Sequence, residues 1–118
     1  MAKYLVLIYG DEQQWDAWSE QEARANSAQH GVFAAHAGAA VLGGHALQPS
    51  GTATSLRKGS PGRPTVTDGP FLETKEALGG YYVLEAADLD EAIALAARIP
   101  EVSADHSGVE IRPIREMT

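Results

Sequence analysis

The 118-residue chain contains no cysteine, which excludes disulfides, thiolate metal sites and a cysteine nucleophile. Basic residues are scarce as well: nine Lys and Arg stand against sixteen Asp and Glu, and the formal net charge is −7. Nucleic acids and anionic membranes bind clustered Lys and Arg side chains, so we expect neither as a partner. The absence of cysteine fits a reducing compartment, and we predict a cytoplasmic protein.

The sequence also lacks long hydrophobic runs, and no stretch approaches the length of a membrane-spanning helix. The apolar run at residues 4–9 is too short for a secretion signal, and Asp11 and Glu12 follow it with no small-residue cleavage site. We therefore interpret this run as a β-strand. Much of the remaining apolar content is alanine, which contributes little buried area, so we expect a thin core in a single protomer.

The pattern of apolar residues predicts strands and two long helices in one domain that spans residues 1–118. Strands are predicted at residues 3–9, 41–49, 52–57, 64–67, 80–86 and 109–114. Helices are predicted at residues 20–37 and 89–99. The second helix has an apolar stripe formed by Leu89, Ala92, Ile93, Ala96 and Ile99. Both helices begin with capping-box spacing, at Ser19 with Glu22 and at Asp88 with Glu91, and Pro100 ends the second.

Two of the predicted strands are apolar on both faces. In the first, Leu5 and Leu7 alternate with Val6, and in the fifth, Val83 alternates with Leu84. Two thin helices cannot cover both faces of one sheet, so a second copy of the chain is the simplest cover. We therefore predict an α+β, ferredoxin-like β-α-β-hairpin-β-α-β sandwich that forms a homodimer through its sheet. On this reasoning, a single protomer does not hide both Val6 and Leu84 from water.

The segment after the hairpin combines an Asp-Gly-Pro turn, three carboxylates and a lysine. Asp68 is our candidate general base, provided that burial raises its pKa. The alternative is that its carboxylate only braces the turn. Lys75 is the candidate for an electrostatic role and Glu73 for substrate binding, although a solvated charged loop also explains both.

The histidines supply further candidates for a site. We predict that His45, on the second strand, donates a proton or orients the substrate. His30 either binds substrate or packs on its helix; it cannot share a metal ion with His36, which lies about 240° around the helix. No metal-binding spacing is present, so we expect no metal.

Aromatic residues complete the list of candidates. Tyr81 and Tyr82 point to opposite faces of one strand, so only one can line a cleft, and we assign substrate contact to Tyr81. A short helical turn is predicted around Trp15, and Trp15 and Trp18 are predicted to cover the cleft rim or the dimer edge.

Residues 68–82, DGPFLETKEALGGYY, resemble the signature of the YCII-related, or DGPF-domain, proteins. Further similar segments are KYLVLIYGDE at residues 3–12, GGHALQP at 43–49, LDEA at 89–92 and VEIRP at 109–113. The resemblance covers nearly the whole chain and implies a dimeric α+β barrel, in agreement with the strand faces. Such proteins often accompany sigma factors encoded nearby, which also implies a regulatory function.

For the wider family, a His and an Asp facing a cleft have been proposed as an acid–base pair. In this sequence the nearest histidine is His30, and Ile99 stands before Pro100 at the position of the Asp. We therefore interpret this pair as not preserved, and we regard the Asp68 loop as the better candidate.

Three functional hypotheses follow from these residues. The first is a cofactor-independent small-molecule enzyme that uses acid–base chemistry of lyase, isomerase or dehalogenation type. Its cleft is predicted between the first helix, the second strand and the signature loop. The second is a non-catalytic dimer that binds a ligand or regulates a partner, linked to sigma-factor-dependent transcription. The third is a purely structural role in which the signature sets the dimer geometry.

Overall fold

The computed structural model describes residues 1–116. Within this range the strands are β1 (Ala2–Asp11), β2 (Val41–Ala46), β3 (Thr54–Ser60), β4 (Arg63–Asp68), β5 (Glu76–Ala86) and β6 (Ser107–Pro113). The helices are α1 (Glu12–Asp16), α2 (Glu20–Ala37) and α3 (Leu89–Ala96), and 3₁₀ turns lie at Gly38–Ala40, Ser50–Thr52 and Pro100–Ser103. The predicted strands and helices all occur; the bounds of α2 are those predicted and the others shift, and α1 is the short helical turn expected around Trp15.

Four strands form an antiparallel sheet in the order β2-β5-β1-β6, and β3 and β4 form a separate two-stranded hairpin. In β1, Val6 pairs with Tyr82 of β5 on one side and with Ile111 of β6 on the other. α2 connects β1 to β2, and α3 connects β5 to β6. This arrangement confirms the α+β, ferredoxin-like order. β6 is an edge strand and ends at Pro113, a residue that suits this position because proline has no N–H to donate to a further strand.

β5 begins earlier than predicted, at Glu76 instead of residue 80. The register of its pairing with β1 shifts, because Ile8 pairs with Gly80 while the next residue of β1 pairs with Leu78. Gly79 is therefore an extra residue in β5, which is the definition of a β-bulge. The last part of the predicted signature loop is consequently strand and lies in the sheet.

The core lies between the helices and one face of the sheet. Val6, Phe33, Leu84 and Ile99 are all fully or almost fully buried there. The expectation that one protomer could not hide both Val6 and Leu84 was wrong. These two side chains share the face under the helices, so the helices of a single chain are enough to cover them.

The opposite face of the sheet has a different environment. Leu5 and Leu7 of β1 and Val83 of β5 are only half-buried on this face. The radius of gyration is 16.2 Å, whereas a compact domain of this length has a value of about 13.5 Å. The molecule is correspondingly flat, 48 × 45 × 19 Å. This second face, which we call the open face, is thus an apolar side of the sheet that the helices leave uncovered.

The helix termini follow the predicted capping boxes. The Ser19 hydroxyl accepts from the Glu22 amide, and the Glu22 carboxylate accepts from the Ser19 amide, both at 3.1 Å. The predicted stripe of α3 is only partly correct: Ala92 and Ala96 are buried, whereas Leu89 and Ile93 are half-exposed. The alanines allow close approach to the sheet, and the larger residues flank that contact. No helix within residues 1–116 is long and apolar enough to cross a membrane.

Candidate active site

A pocket of about 360 Å³ lies between α2 and the helix-covered face of the sheet. α2 contributes Asn26 and His30, β5 contributes Tyr82, α1 contributes Trp15, and the 3₁₀ turn after α3 contributes Glu101. The volume is within the range of sites for small molecules. The predicted cleft therefore exists next to α2 and β2, but α1 closes it where the signature loop was expected.

The pocket exists because only half of the inward face of α2 is apolar. Asn26, His30, Phe33 and Ala37 follow one another at three- and four-residue spacing, so they share one side of the helix. Phe33 is buried and Ala37 packs beside it against the core. Asn26 and His30 face the pocket and form hydrogen bonds with Glu101 and Tyr82 on its other side. The C-terminal part of this helix face thus packs in the core, and its N-terminal part supplies polar side chains to the pocket.

Both ring nitrogens of His30 have hydrogen-bond partners. Nδ1 lies 2.7 Å from the hydroxyl oxygen of Tyr82, and Nε2 lies 3.1 Å from Oε2 of Glu101. The Asn26 amide also donates to Oε2 of Glu101, at 2.9 Å. Glu101 is only 6% exposed. His30 therefore connects a buried carboxylate with a tyrosine hydroxyl.

The charge of Glu101 assigns the direction of these hydrogen bonds. Burial alone raises the pKa of Glu101, but hydrogen bonds from His30 and Asn26, together with the proximity of His30, lower it below its usual value. The carboxylate is thus ionised at neutral pH and only accepts. Nε2 of His30 must donate to it, which leaves Nδ1 of the neutral ring to accept from Tyr82. The order of donation is Tyr82 to His30 to Glu101, and we call these residues the relay.

Tyr82 keeps its proton in this arrangement. Burial, followed by the negative charge of Glu101, raises the pKa of the Tyr82 hydroxyl above its usual value. Its ring lies against Phe33, with the ring centroids 4.9 Å apart. The hydroxyl is therefore fixed in position and protonated at neutral pH.

One oxygen of Glu101 is incompletely used. Oε1 lies 2.8 Å from Nε2 of His30, but the N–H bond is directed at Oε2. Oε1 is buried and has no well-directed donor in the part of the chain that the structure describes.

Glycines make room for the aromatic side chains of the pocket. A Cβ atom on Gly44 would lie 2.7 Å from Cδ1 of Tyr82, and one on Gly79 would lie 2.6 Å from Cζ3 of Trp15. Both distances are too short for a real side chain. At Gly79 the close neighbour is thus the Trp15 ring, and at Gly44 it is the Tyr82 ring.

The predicted site residues separate into two regions. His30, His45 and Tyr81 border the pocket. His45 and Tyr81, however, face each other across β2 and β5 with ring centroids 5.9 Å apart. Strand alternation places their side chains on the open face, whereas Tyr82 points toward His30. Of the two tyrosines, the one within hydrogen-bond distance of His30 is therefore Tyr82.

The signature loop, residues 68–75, lies outside the pocket, whereas residues 79–82 of the same signature line it. Asp68 is exposed at the end of β4, and Glu73 is exposed in a separate wide groove beside the hairpin. The Lys75 ammonium lies 3.8 Å from Oδ2 of Asp11, the N-cap residue of α1. Asp68 and His45 therefore do not face one cleft within a single chain. The turn itself is explained by Gly69, which has a φ of 102° that favours glycine.

Sequence analysis missed Glu101, Asn26 and the role of Tyr82. The family's Asp position before Pro100 is occupied by Ile99, as the sequence indicated, but Glu101 immediately after Pro100 places a carboxylate beside His30. An acidic residue directly after this proline is the signal in the sequence that could have identified it. Asn26 could have been found by its position one helical turn before His30.

Metal ligation has no visible basis within residues 1–116. No group of three or more His, Asp or Glu side chains in this range is arranged to hold a metal ion. The relay pairs His30 with one carboxylate and one phenol, which together favour hydrogen bonding and proton transfer.

Comparison with known proteins places the chain in a family. The family model described as "YCII-related domain" matches residues 2–118. A curated relative, an uncharacterized protein of Rhizobium meliloti (strain 1021), is 39% identical over 113 residues. The match covers 94% of this chain and 90% of that protein.

Proposed function

The chain belongs to the YCII-related domain family, and we propose that it is a small-molecule enzyme whose acid–base chemistry is centred on His30. The observation that carries the proposal is the relay, in which Glu101 and Tyr82 hold the two nitrogens of one imidazole. A histidine that a buried carboxylate orients is the usual arrangement for general acid–base catalysis. The proposal requires no cofactor.

The relay defines a path for the proton. Because both nitrogens of His30 are occupied, a substrate proton enters through Tyr82. The substrate X–H bond breaks, a new O–H bond forms on Tyr82, and the former hydroxyl proton of Tyr82 moves to Nδ1 of His30. The resulting imidazolium lies beside the Glu101 carboxylate, which compensates its charge. The reverse transfer returns a proton to the substrate, as lyase, isomerase and dehalogenation reactions require.

A general base in such a pocket can be tested without knowledge of the natural substrate. Nitrobenzisoxazole is small and flat, and removal of its single acidic C–H proton breaks the N–O bond and releases a coloured nitrophenolate. We expect ring opening above the background rate, and His30→Ala should lower this rate about a hundredfold. His36→Ala is the matched control, because His36 is exposed on the same helix. Equal loss in both variants would contradict the proposal.

A second function, that of a regulatory partner, is favoured by the exposed apolar surface of the hairpin. Leu56 and Val66 pair across β3 and β4, and each is 61% exposed. Phe71 and Leu72 of the signature loop are exposed as well. Binding of nitrobenzisoxazole without ring opening at any pH would favour this function over catalysis.

We also propose that the protein is a homodimer formed through the open face. Leu5, Leu7 and Val83 present half-buried apolar side chains there, and the flat shape of the protomer leaves this face broad. A second copy would supply the missing layer of the sandwich. Light scattering should give twice the protomer mass, and Leu7→Glu should give monomers. A monomeric wild-type protein would contradict this proposal and leave the relay untouched.

A further inference from the structure

Trp15 lies flat on the sheet because two glycines beneath it have no side chains. A Cβ atom on Gly79 would lie 2.6 Å from Cζ3 of Trp15, and a Cβ on Gly10 would overlap three atoms of the same indole. Gly10 belongs to β1 and Gly79 is the bulge residue of β5. The indole therefore spans two neighbouring strands and closes one end of the pocket.

The helix that carries Trp15 is tied down at its first turn. The Asp11 carboxylate accepts from the Gln13 amide at 3.0 Å and caps α1. The Glu12 carboxylate accepts from the Ser50 amide at 2.7 Å and also from the Ser50 hydroxyl. Ser50 lies in the connection between β2 and β3, so α1 is fixed to a distant part of the chain. Trp15 is consequently a rigid wall of the pocket.

The surfaces that face this wall are small or flat. Gly44, Ala46 and Gly80 line the pocket from β2 and β5 and leave the sheet nearly bare. Tyr82 adds a second ring at the end occupied by the relay. A flat ring can therefore lie against the face of the indole that points away from these glycines, next to the bare part of the sheet.

The lining also has a defined charge. Lys and Arg are absent from the lining side chains within residues 1–116, and Glu101 is ionised there. A carboxylate or phosphate in the pocket would find no Lys or Arg counter-charge among these lining residues and would be repelled by Glu101.

We infer that Trp15 determines the specificity of the pocket, and that the pocket takes an uncharged molecule with a flat ring that stacks on the indole. The ring would place its proton-bearing group toward Tyr82 and His30. The orientation of that group rests on the proposed function. The preference for a flat, uncharged ring does not, because it follows from Trp15, the two glycines and the charge of Glu101.

Benzyl alcohol and cyclohexylmethanol test the preference for flatness, because they share a head group and differ in the ring. Isothermal titration calorimetry on the full-length protein should show that benzyl alcohol binds about threefold to tenfold more tightly, the range expected for an aromatic pair. Trp15→Leu should remove this difference. Equal affinities in the wild-type protein would overturn the inference.

The glycines provide a test that leaves Trp15 in place. Gly79→Ala should push the indole into the pocket and weaken the binding of benzyl alcohol at least about threefold, whereas in a Trp15→Leu background Gly79→Ala should cause no further weakening. Gly43→Ala is the matched control, because a Cβ on this β2 glycine meets no atom within 4 Å. Unchanged affinity for benzyl alcohol in Gly79→Ala, or an equal loss in Gly43→Ala, would contradict the inference that the Trp15 indole packs on Gly79 and shapes the pocket.

Benzamide and benzoate, which have nearly the same shape, test the preference for an uncharged ligand. Benzamide should bind at least about tenfold more tightly, and Glu101→Gln should narrow the gap. Tighter binding of benzoate than of benzamide by the wild-type protein would overturn the preference for an uncharged ligand. These measurements report binding alone, so they can succeed even if His30→Ala shows no loss of ring opening, and they can fail while catalysis is confirmed.

Discussion

The signature loop and the pocket under α2 differ in how much of their chemistry is visible in the sequence. The loop concentrates its charged residues within a few positions, yet Asp68 and Glu73 are exposed and lie outside the pocket. The relay joins residues that are 52 and 71 positions apart in the chain. A dense motif thus marks a local turn here, whereas the candidate chemistry depends on tertiary contacts.

The largest expected effect is on the rate of ring opening, which should depend on the relay in the pocket and not on the signature loop. Tyr82→Phe and Glu101→Gln should each lower the ring opening of nitrobenzisoxazole about a hundredfold, because each interrupts the proton path. Asp68→Asn and His45→Ala should stay within about twofold of the wild-type rate, since neither side chain reaches the relay. Initial rates measured side by side give the comparison. Loss of ring opening in Asp68→Asn alone would indicate that catalysis depends on the signature loop and not on the relay.

The next effect concerns stability. Glu101→Leu leaves Asn26 and His30 without their buried acceptor, so the free energy of unfolding should fall by about 1–3 kcal/mol. Glu73→Leu should change it by less than about 0.5 kcal/mol, because Glu73 is exposed in the loop. Urea unfolding monitored by circular dichroism measures both. Equal losses would show that the two carboxylates have similar environments.

The pH dependence of the free energy of unfolding tests the contribution of the buried Glu101 carboxylate more directly. The pKa of Glu101 is lowered in the folded state, so the unfolded chain binds this proton more readily. The stability that the Glu101 carboxylate contributes is present above the ordinary pKa of 4.5 and is lost as the pH falls through the lower folded value. Glu101→Gln should therefore lose less stability than the wild-type protein on acidification below pH 4.5. Parallel curves for the two proteins would contradict the lowered pKa of Glu101 in the folded state.

The smallest expected effect links the loop to the pocket. Lys75 contacts Asp11 at 3.8 Å, and Asp11 caps the helix that carries Trp15. The ammonium is mostly exposed, so Lys75→Ala should lower the free energy of unfolding by no more than about 0.5 kcal/mol. Benzyl alcohol should bind slightly less tightly. Lys58→Ala, in the exposed part of β3, is the control and should change neither quantity.

The predictable parts of the fold depend on neighbours in sequence. The bounds of α2 were predicted because Ser19 and Glu22 cap it locally. The start of β5 was missed because the bulge at Gly79 is visible only once β1 is paired with it. The burial of Val6 and Leu84 was misjudged for the same reason, since their shared face depends on strand register and not on alternation alone.

The candidate site was predictable only in part. His30 was recognised from its residue type, and the two tryptophans were expected at the cleft rim, where both now line the pocket. Glu101 was missed because the family pattern places the acidic residue before the proline, whereas Glu101 follows Pro100. Tyr82 and Tyr81 could not be distinguished by alternation, which gives opposite faces without saying which face the helix covers.

The relay depends most directly on which nitrogen of the neutral His30 ring carries the proton. Nitrogen NMR of the labelled protein at a pH where this ring is neutral should show the proton on Nε2, and Tyr82→Phe should shift the Nδ1 resonance. A neutral ring with its proton on Nδ1, or an Nδ1 resonance that ignores the loss of the Tyr82 hydroxyl, would contradict the relay.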